Sequence, residues 1–390
     1  MKFAKFAAVA LAATVLPFAS AHFTSAMAQT VKIGFITSYT GQNASVGAMM
    51  DQAVKLWMKQ NEKSLPAGVK VEIINRDDTG PNPEVAKRLA TELVTRDRVN
   101  FLAGVIWTPI AAEAKVPFVI MNAGTSGIIP SGGAPFVTRV SFTLWQSSLP
   151  LGQWAAKNNL KRVYSLVSDF GPGIDAETAF KSEFAKQGGT VVESIRMPIA
   201  TTDFGPFAQR IKASGAQAVY TFLPGGPPNL GFVKAYNENG LAKSGIQFLG
   251  TAETDEFDLP KLGDAAIGLT TAFHYSGAHD SPANRKFVEE LKKRDPNVVA
   301  NYASVGAWDG MVVIHKMIEA TGGQRDGLKA LQAARSLQWE SPRGPVRIDG
   351  KTRHIVQNVY LRKVEKQGNA LVNKEVQSFG PQVDHGLDNK

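Results

Sequence analysis

The segments that could carry chemistry are few, and each is tested by residue type and spacing. Gly171-Pro172-Gly173-Ile174-Asp175-Ala176 fits the G-x-G-x-x-[GA] pattern of dinucleotide-binding turns, with Glu193 22 residues after Gly171. Pro172 removes a backbone N–H from the loop that would cradle a pyrophosphate. The pattern reads instead as a strand-to-helix turn that needs glycine conformations. Gly124-Thr125-Ser126-Gly127-Ile128 fails the G-x-S-x-G nucleophile pattern at its last position. His274, His279 and Asp280 form the densest histidine group but lack metal-ligand spacing. The acidic run Glu253-Thr254-Asp255-Glu256-Phe257-Asp258 reads as a polar loop with one residue able to meet a ligand. The chain has no cysteine, which excludes thiolate metal sites, iron–sulfur clusters, a Cys nucleophile and a lipidated N-terminal Cys. No cofactor is expected.

A different set of residues is suited to binding. Small polar loops follow the predicted strands: Ser38–Gly41, Trp107-Thr108, Asn122–Ser126, Asp169–Gly171, Pro224–Gly226 and Thr251–Glu253. Ligands of open α/β sheets bind at that edge.

The elements that must carry these loops alternate. Val31–Thr37, Val69–Asn75, Phe101–Ile106 and Pro117–Met121 read as buried strands, with helices at Val46–Glu62 and Pro83–Asp97. A second series follows Trp145. Its strands are Arg162–Ser168, Thr190–Met197, Ala218–Leu223, Gln247–Gly250 and Leu269–Ala272, separated by helices. Helices at Pro282–Lys293, Ser304–Ala320 and Gly327–Leu337 come next, and strands at Gly344–Ile348 and Val356–Val364 close the chain. This grammar implies two parallel sheets, each covered by helices on both faces. Trp107–Lys115 leaves only nine residues for one crossover, which is short for the unit.

Composition agrees with a soluble two-domain protein. The chain has 390 residues, 44% hydrophobic and 20% charged, with net charge +9. Its basic residues are scattered, which gives no nucleic-acid footprint. Lys2 and Lys5 precede an apolar run from Phe6 to Ala19, and Ala26-Met27-Ala28 supplies a small-x-small cleavage site. Residues 1–28 are expected to be a signal peptide, and the mature chain a soluble, unanchored periplasmic protein. Export weighs against ATP- or NAD-dependent chemistry.

Taken in order, VKIGFITSYTGQNASVGAMMDQAVKLWMKQ, RDDTGPNPEVAKRLATELVTRDRVNFLAGV, VYSLVSDFGPGIDAETAFKSEFAKQGGTVV, VYTFLPGG and YASVGAWDGMVVIHKMIEATGG resemble the branched-chain amino-acid-binding (Leu/Ile/Val-type) family of periplasmic solute-binding proteins of ABC transporters. The resemblance covers about residues 30–365. It implies an α/β fold of two doubly wound parallel-sheet lobes joined by a three-strand hinge. Lobe 1 would comprise 29–145 and 276–337, lobe 2 146–275 and 338–368, and 369–390 a C-terminal tail. A ligand would sit between the lobes and pass to a membrane permease and its ATPase. The protein would be a monomer and not an enzyme. A ligand sensor of the same fold, or a cleft enzyme, is the alternative.

Carried over from the family, the ligand contacts fall on Trp107, Thr108, Asn122, Ala123, Gly124, Thr125, Phe170, Phe222 and Glu253. Thr108, Thr125 and backbone N–H groups would hold a carboxylate, and Glu253 or Asp255 would meet an ammonium if the ligand has one. Trp107 stands where amino-acid binders have a small residue, and its ring could stack on an aromatic ligand. The expected ligand is therefore a small carboxylate, either an aromatic acid or a branched-chain amino acid.

Overall fold

A computed structural model of the chain describes Met1 and residues 29–106, 116–128 and 136–387. The proposed signal peptide and the short Trp107–Lys115 crossover lie outside the described residues.

The first series builds a five-stranded parallel sheet in the order β2-β1-β3-β4-β5. Its strands are β1 (Gln29–Thr37), β2 (Val69–Asp77), β3 (Phe101–Gly104), β4 (Phe118–Ile120) and β5 (Val137–Arg139). Helices α1 (Ala44–Asn61) and α2 (Pro83–Thr95) connect the first three. Burial follows position in the sheet. Central β1 is covered on both faces from Val31 onward, apart from a half-buried Lys32, whereas edge β2 is nowhere fully buried. A run such as VKIGFIT suits the first environment because both its faces meet helices.

Helix α3 (Leu144–Lys157) leads into the second series. It starts at Leu144, with Pro150 inside it. Thr143 and Gln146 form a capping box that overrides the breaker signal of Pro150. The second sheet runs β7-β6-β8-β9-β10-β13-β12-β11. It contains β6 (Arg162–Ser168), β7 (Thr190–Met197), β8 (Ala218–Phe222), β9 (Gln247–Gly250) and β10 (Thr270–Phe273), all parallel. Helices α4 (Gly171–Lys186), α5 (Gly205–Ala213), α6 (Pro227–Glu238) and α7 (Leu259–Leu262) intervene. Next come α8 (Pro282–Arg294), α9 (Tyr302–Thr321) and α10 (Gly327–Ala334). The chain then returns as β11 (Gln338–Ser341), β12 (Gly344–Ile348), β13 (Ile355–Gln367) and β14 (Ala370–Gln382), all antiparallel.

Two features differ from the expectation. Residues 370–382, read as part of a tail, form a strand as long as β13 and paired with it along its length. Its side chains are mostly half-exposed and show no apolar alternation, so it carries no periodic signal. Gly368, at φ +59°, makes the tight turn between the two strands. The returning segment is also shared between the two halves. β12 and β13 hydrogen-bond into the second sheet, yet Val346, Ile348 and Ile355 pack with α1, α8 and α9 in the core of the first.

Where the halves join, buried charges take over from apolar packing. His354 and Asp384 are both buried, with Nδ1 and Oδ2 2.9 Å apart. Asp384 also accepts from Ser126 Oγ at 2.6 Å and Thr143 Oγ1 at 3.2 Å. Burial, aided by the Arg139 charge, lowers His354 to about 4. Burial would raise Asp384, but His354, Arg139 and Ser126 outweigh it and hold the carboxyl at about 2. Both shifts act in one direction. The unfolded chain binds more protons as pH falls from 6.5, first at His354 and then at Asp384. Stability should therefore decline from pH 6.5 toward 2. The His354 share, on the order of 3 kcal/mol, goes between 6.5 and about 4. Thermal unfolding of His354→Gln across this range should show a shallower decline than the parent; equal slopes would refute the assignment.

Candidate functional site

The strand-end loops meet in one cavity between the two sheets. It is a small cavity of about 60 Å³. Five helices begin at its wall. Asn43 precedes α1, Phe142 and Leu144 flank the start of α3, and Phe170 and Pro172 begin α4. Gly225 leads into α6, and Tyr302 is the first residue of α9. Each helix start carries a partial positive charge, so their convergence favours an anion.

The wall is largely apolar and carries four aromatic rings. Phe170 and Phe222 stack with ring centres 5.9 Å apart and planes 28° apart. Phe142 and Tyr302 meet edge-on at 5.9 Å, and His274 stacks behind Phe142 at 5.1 Å. Two carboxamides interrupt this apolar surface. Asn43 is 4% and Asn122 5% exposed, and the Oδ1 atoms of both lack a hydrogen-bond partner among the described residues. A carboxamide can turn either its donors or its acceptor toward a ligand. No Asp, Glu, Lys or Arg is among the described residues that line the cavity.

The structure places the residues expected from sequence in three ways. Asn122, Gly124, Phe170 and Phe222 line the cavity. Gly124 is held there by close contact, since a Cβ would come within 2.5 Å of the Phe142 ring. Ala123, Thr125 and Glu253 are near it but not in its wall. Ala123 is a buried link whose carbonyl accepts from Ser141 Oγ at 3.0 Å. Thr125 Oγ1 donates to Asp175 Oδ2 at 2.7 Å. Glu253 is fully buried, and its carboxylate accepts from the backbone N–H groups of Leu223 and Thr251. It braces the ends of β8 and β9. Burial pushes it up to about 7 against the pull of those N–H groups and of Arg362. Trp107 and Thr108 lie outside the described residues; Ile106, just before them, lines the cavity.

Asn43, Phe142 and Tyr302 are additional wall residues. Each stands at a helix start, a signal present in the sequence. Asn43 precedes α1, and Tyr302 follows the Asn301–Ser304 capping box. The Gly171–Ala176 turn has a packing role. A Cβ at Gly173 would sit 1.8 Å from the carbonyl oxygen of Ser168, so glycine lets α4 start directly against β6. Among the described residues, no cluster of His, Asp and Glu could hold a metal ion.

Comparison with known proteins accords with this geometry. Residues 30–369 match the family model described as periplasmic binding protein. Leu/Ile/Val-binding protein homolog 6 of Brucella melitensis is 48% identical over 97% of this chain and 98% of its own. A solute-binding protein of an ABC transporter from R. palustris, solved with 4-hydroxybenzoate, is 46% identical. It superposes with a TM-score of 0.88 over 93% of this chain and 100% of that one. A counterpart from Rhodopseudomonas palustris BisB5, solved with 3,4-dihydroxybenzoic acid, is 42% identical, with a TM-score of 0.86 over 92% of this chain and 99% of that one. The chain thus belongs to the periplasmic binding protein family, among the solute-binding proteins of ABC transporters.

Proposed function

We propose that this protein captures an aromatic monocarboxylate of the benzoate class and delivers it to a membrane permease, after export directed by residues 1–28. One observation carries the ligand class: the described wall is apolar with four aromatic rings, bears two carboxamides, and has no carboxylate to meet an ammonium. An amino acid would leave its ammonium unpaired there, at a desolvation cost of several kcal/mol. A benzoate brings no such charge. Its ring would lie among Phe142, Phe170, Phe222 and Tyr302. Its carboxylate would take hydrogen bonds from Asn43, Asn122 and the helix starts, each worth about 1.5–3 kcal/mol to a charged group. The R. palustris proteins with aromatic acids bound support the same reading. No bond is made or broken in this function, and the lobes need only close around the ligand.

Titration calorimetry on residues 29–390 tests it. Benzoate or 4-hydroxybenzoate should bind with a micromolar or lower Kd, and leucine should give no measurable heat. Tighter binding of leucine than of either benzoate would overturn the reading.

A further inference from the structure

We propose that Asp175 is a positioning residue that latches the two lobes over the ligand. It stands in the second turn of α4, on the second sheet. Its Oδ2 accepts from Thr125 Oγ1 at 2.7 Å and from the Ser126 N–H at 2.8 Å. Those donors are on the loop after β4, on the first sheet. One carboxylate oxygen thus joins the two halves.

The latch sits beside the cavity, on elements that form its wall. The same loop supplies Asn122 and Gly124, and the start of α4 supplies Phe170 and Pro172. The surfaces touch: a Cβ at Gly171 would come within 3.1 Å of Thr125 Oγ1. The loop is also braced from behind. Arg139 Nη2 donates to the Thr125 carbonyl at 2.5 Å, and Ser126 Oγ donates to Asp384. A braced loop transmits the pull of Asp175 to the cavity wall and does not deform locally. Opening the lobes would break both hydrogen bonds, so they stabilise the closed form alone. Their loss should raise the rate of ligand release and leave capture nearly unchanged.

The test has two arms. The chain has no native cysteine, so Glu84→Cys in the first turn of α2 and Thr202→Cys in the loop after β7, both exposed, can carry a spin-label pair across the lobes. In the ligand-free protein, Asp175→Ala should shift the distance distribution away from the closed form. Thr125→Val, which keeps the Ser126 N–H, should shift it less, and the double variant should match Asp175→Ala. In stopped-flow measurements with 4-hydroxybenzoate, Asp175→Ala should raise the release rate about 10-fold and change the association rate by less than twofold. Only this second arm rests on the proposed ligand class. If 4-hydroxybenzoate does not bind the parent protein, that reading falls and the distance arm alone decides the latch. Distance distributions unchanged by Asp175→Ala would overturn it.

Discussion

Arg343→Met should lower the Tm by roughly 10 °C. Arg343 and Asp309 are both fully buried, with Nη2 and Oδ2 2.7 Å apart. The guanidinium also donates to the Ser141 carbonyl at 2.9 Å and to Gln357 Oε1 at 2.6 Å. It therefore ties α9 to the crossing after β5 and to β13, where the two halves meet. Removing it leaves Asp309 buried with only Trp339 Nε1 and Ser341 Oγ as partners. Burial already raises Asp309, and Arg343 is the main influence opposing that rise. Removing one partner of a buried pair costs about 3–5 kcal/mol, and each kcal/mol moves Tm by about 2–4 °C in domains of this size. Asp309→Asn added to Arg343→Met should recover part of the loss, because a neutral amide is cheaper to bury than an orphaned carboxylate. Calorimetry of the three variants measures this. A Tm within 2 °C of the parent for Arg343→Met would show that the pair carries no such weight.

The same pair shows what the sequence could and could not reveal. Buried strands such as VKIGFIT and RVYSLVS declare themselves, because a strand covered on both faces must be apolar along nearly its whole length. Arg343, Arg362 and Arg139 are equally buried, yet a lone arginine in sequence reads as surface. Only the fold shows that charged pairs are buried at the joint between the halves. The cavity divides in the same way. Phe170, Asn122 and Gly124 stand in loops that follow strands, where α/β proteins bind ligands, and Phe222, the last residue of β8, was reached through the family resemblance. Tyr302 follows no strand and reaches the wall only because α9 begins there. Glu253 shows the converse. It stands at a strand end with the right chemistry for an ammonium, but its side chain turns back onto the backbone of Thr251 and Leu223. Sequence position gave the loop; the direction of the side chain came from the third dimension.

The proposed ligand class rests on the same direction, and Asn122→Asp should test it most sharply. Asn122 lies in the cavity wall with an unpartnered oxygen, and aspartate is nearly isosteric with it. The substitution keeps the shape of the cavity and adds a negative charge. At about 5 Å from a bound carboxylate, that charge is repelled by about 3 kcal/mol at an effective dielectric constant near 20. Affinity for 4-hydroxybenzoate at pH 7 should fall about 100-fold or more. Burial and the ligand's own charge would both raise the new carboxyl, so binding should return in part as pH is lowered toward about 5, where the carboxyl takes up a proton. A ligand with an ammonium group would respond in the opposite sense and gain affinity at pH 7. Titration calorimetry at both pH values, with 4-hydroxybenzoate and leucine, separates the two. Unchanged affinity for 4-hydroxybenzoate at pH 7 would remove Asn122 from the carboxylate end of the site. A gain for leucine alone would mark the native carboxamide as the feature that bars amino acids from the cavity.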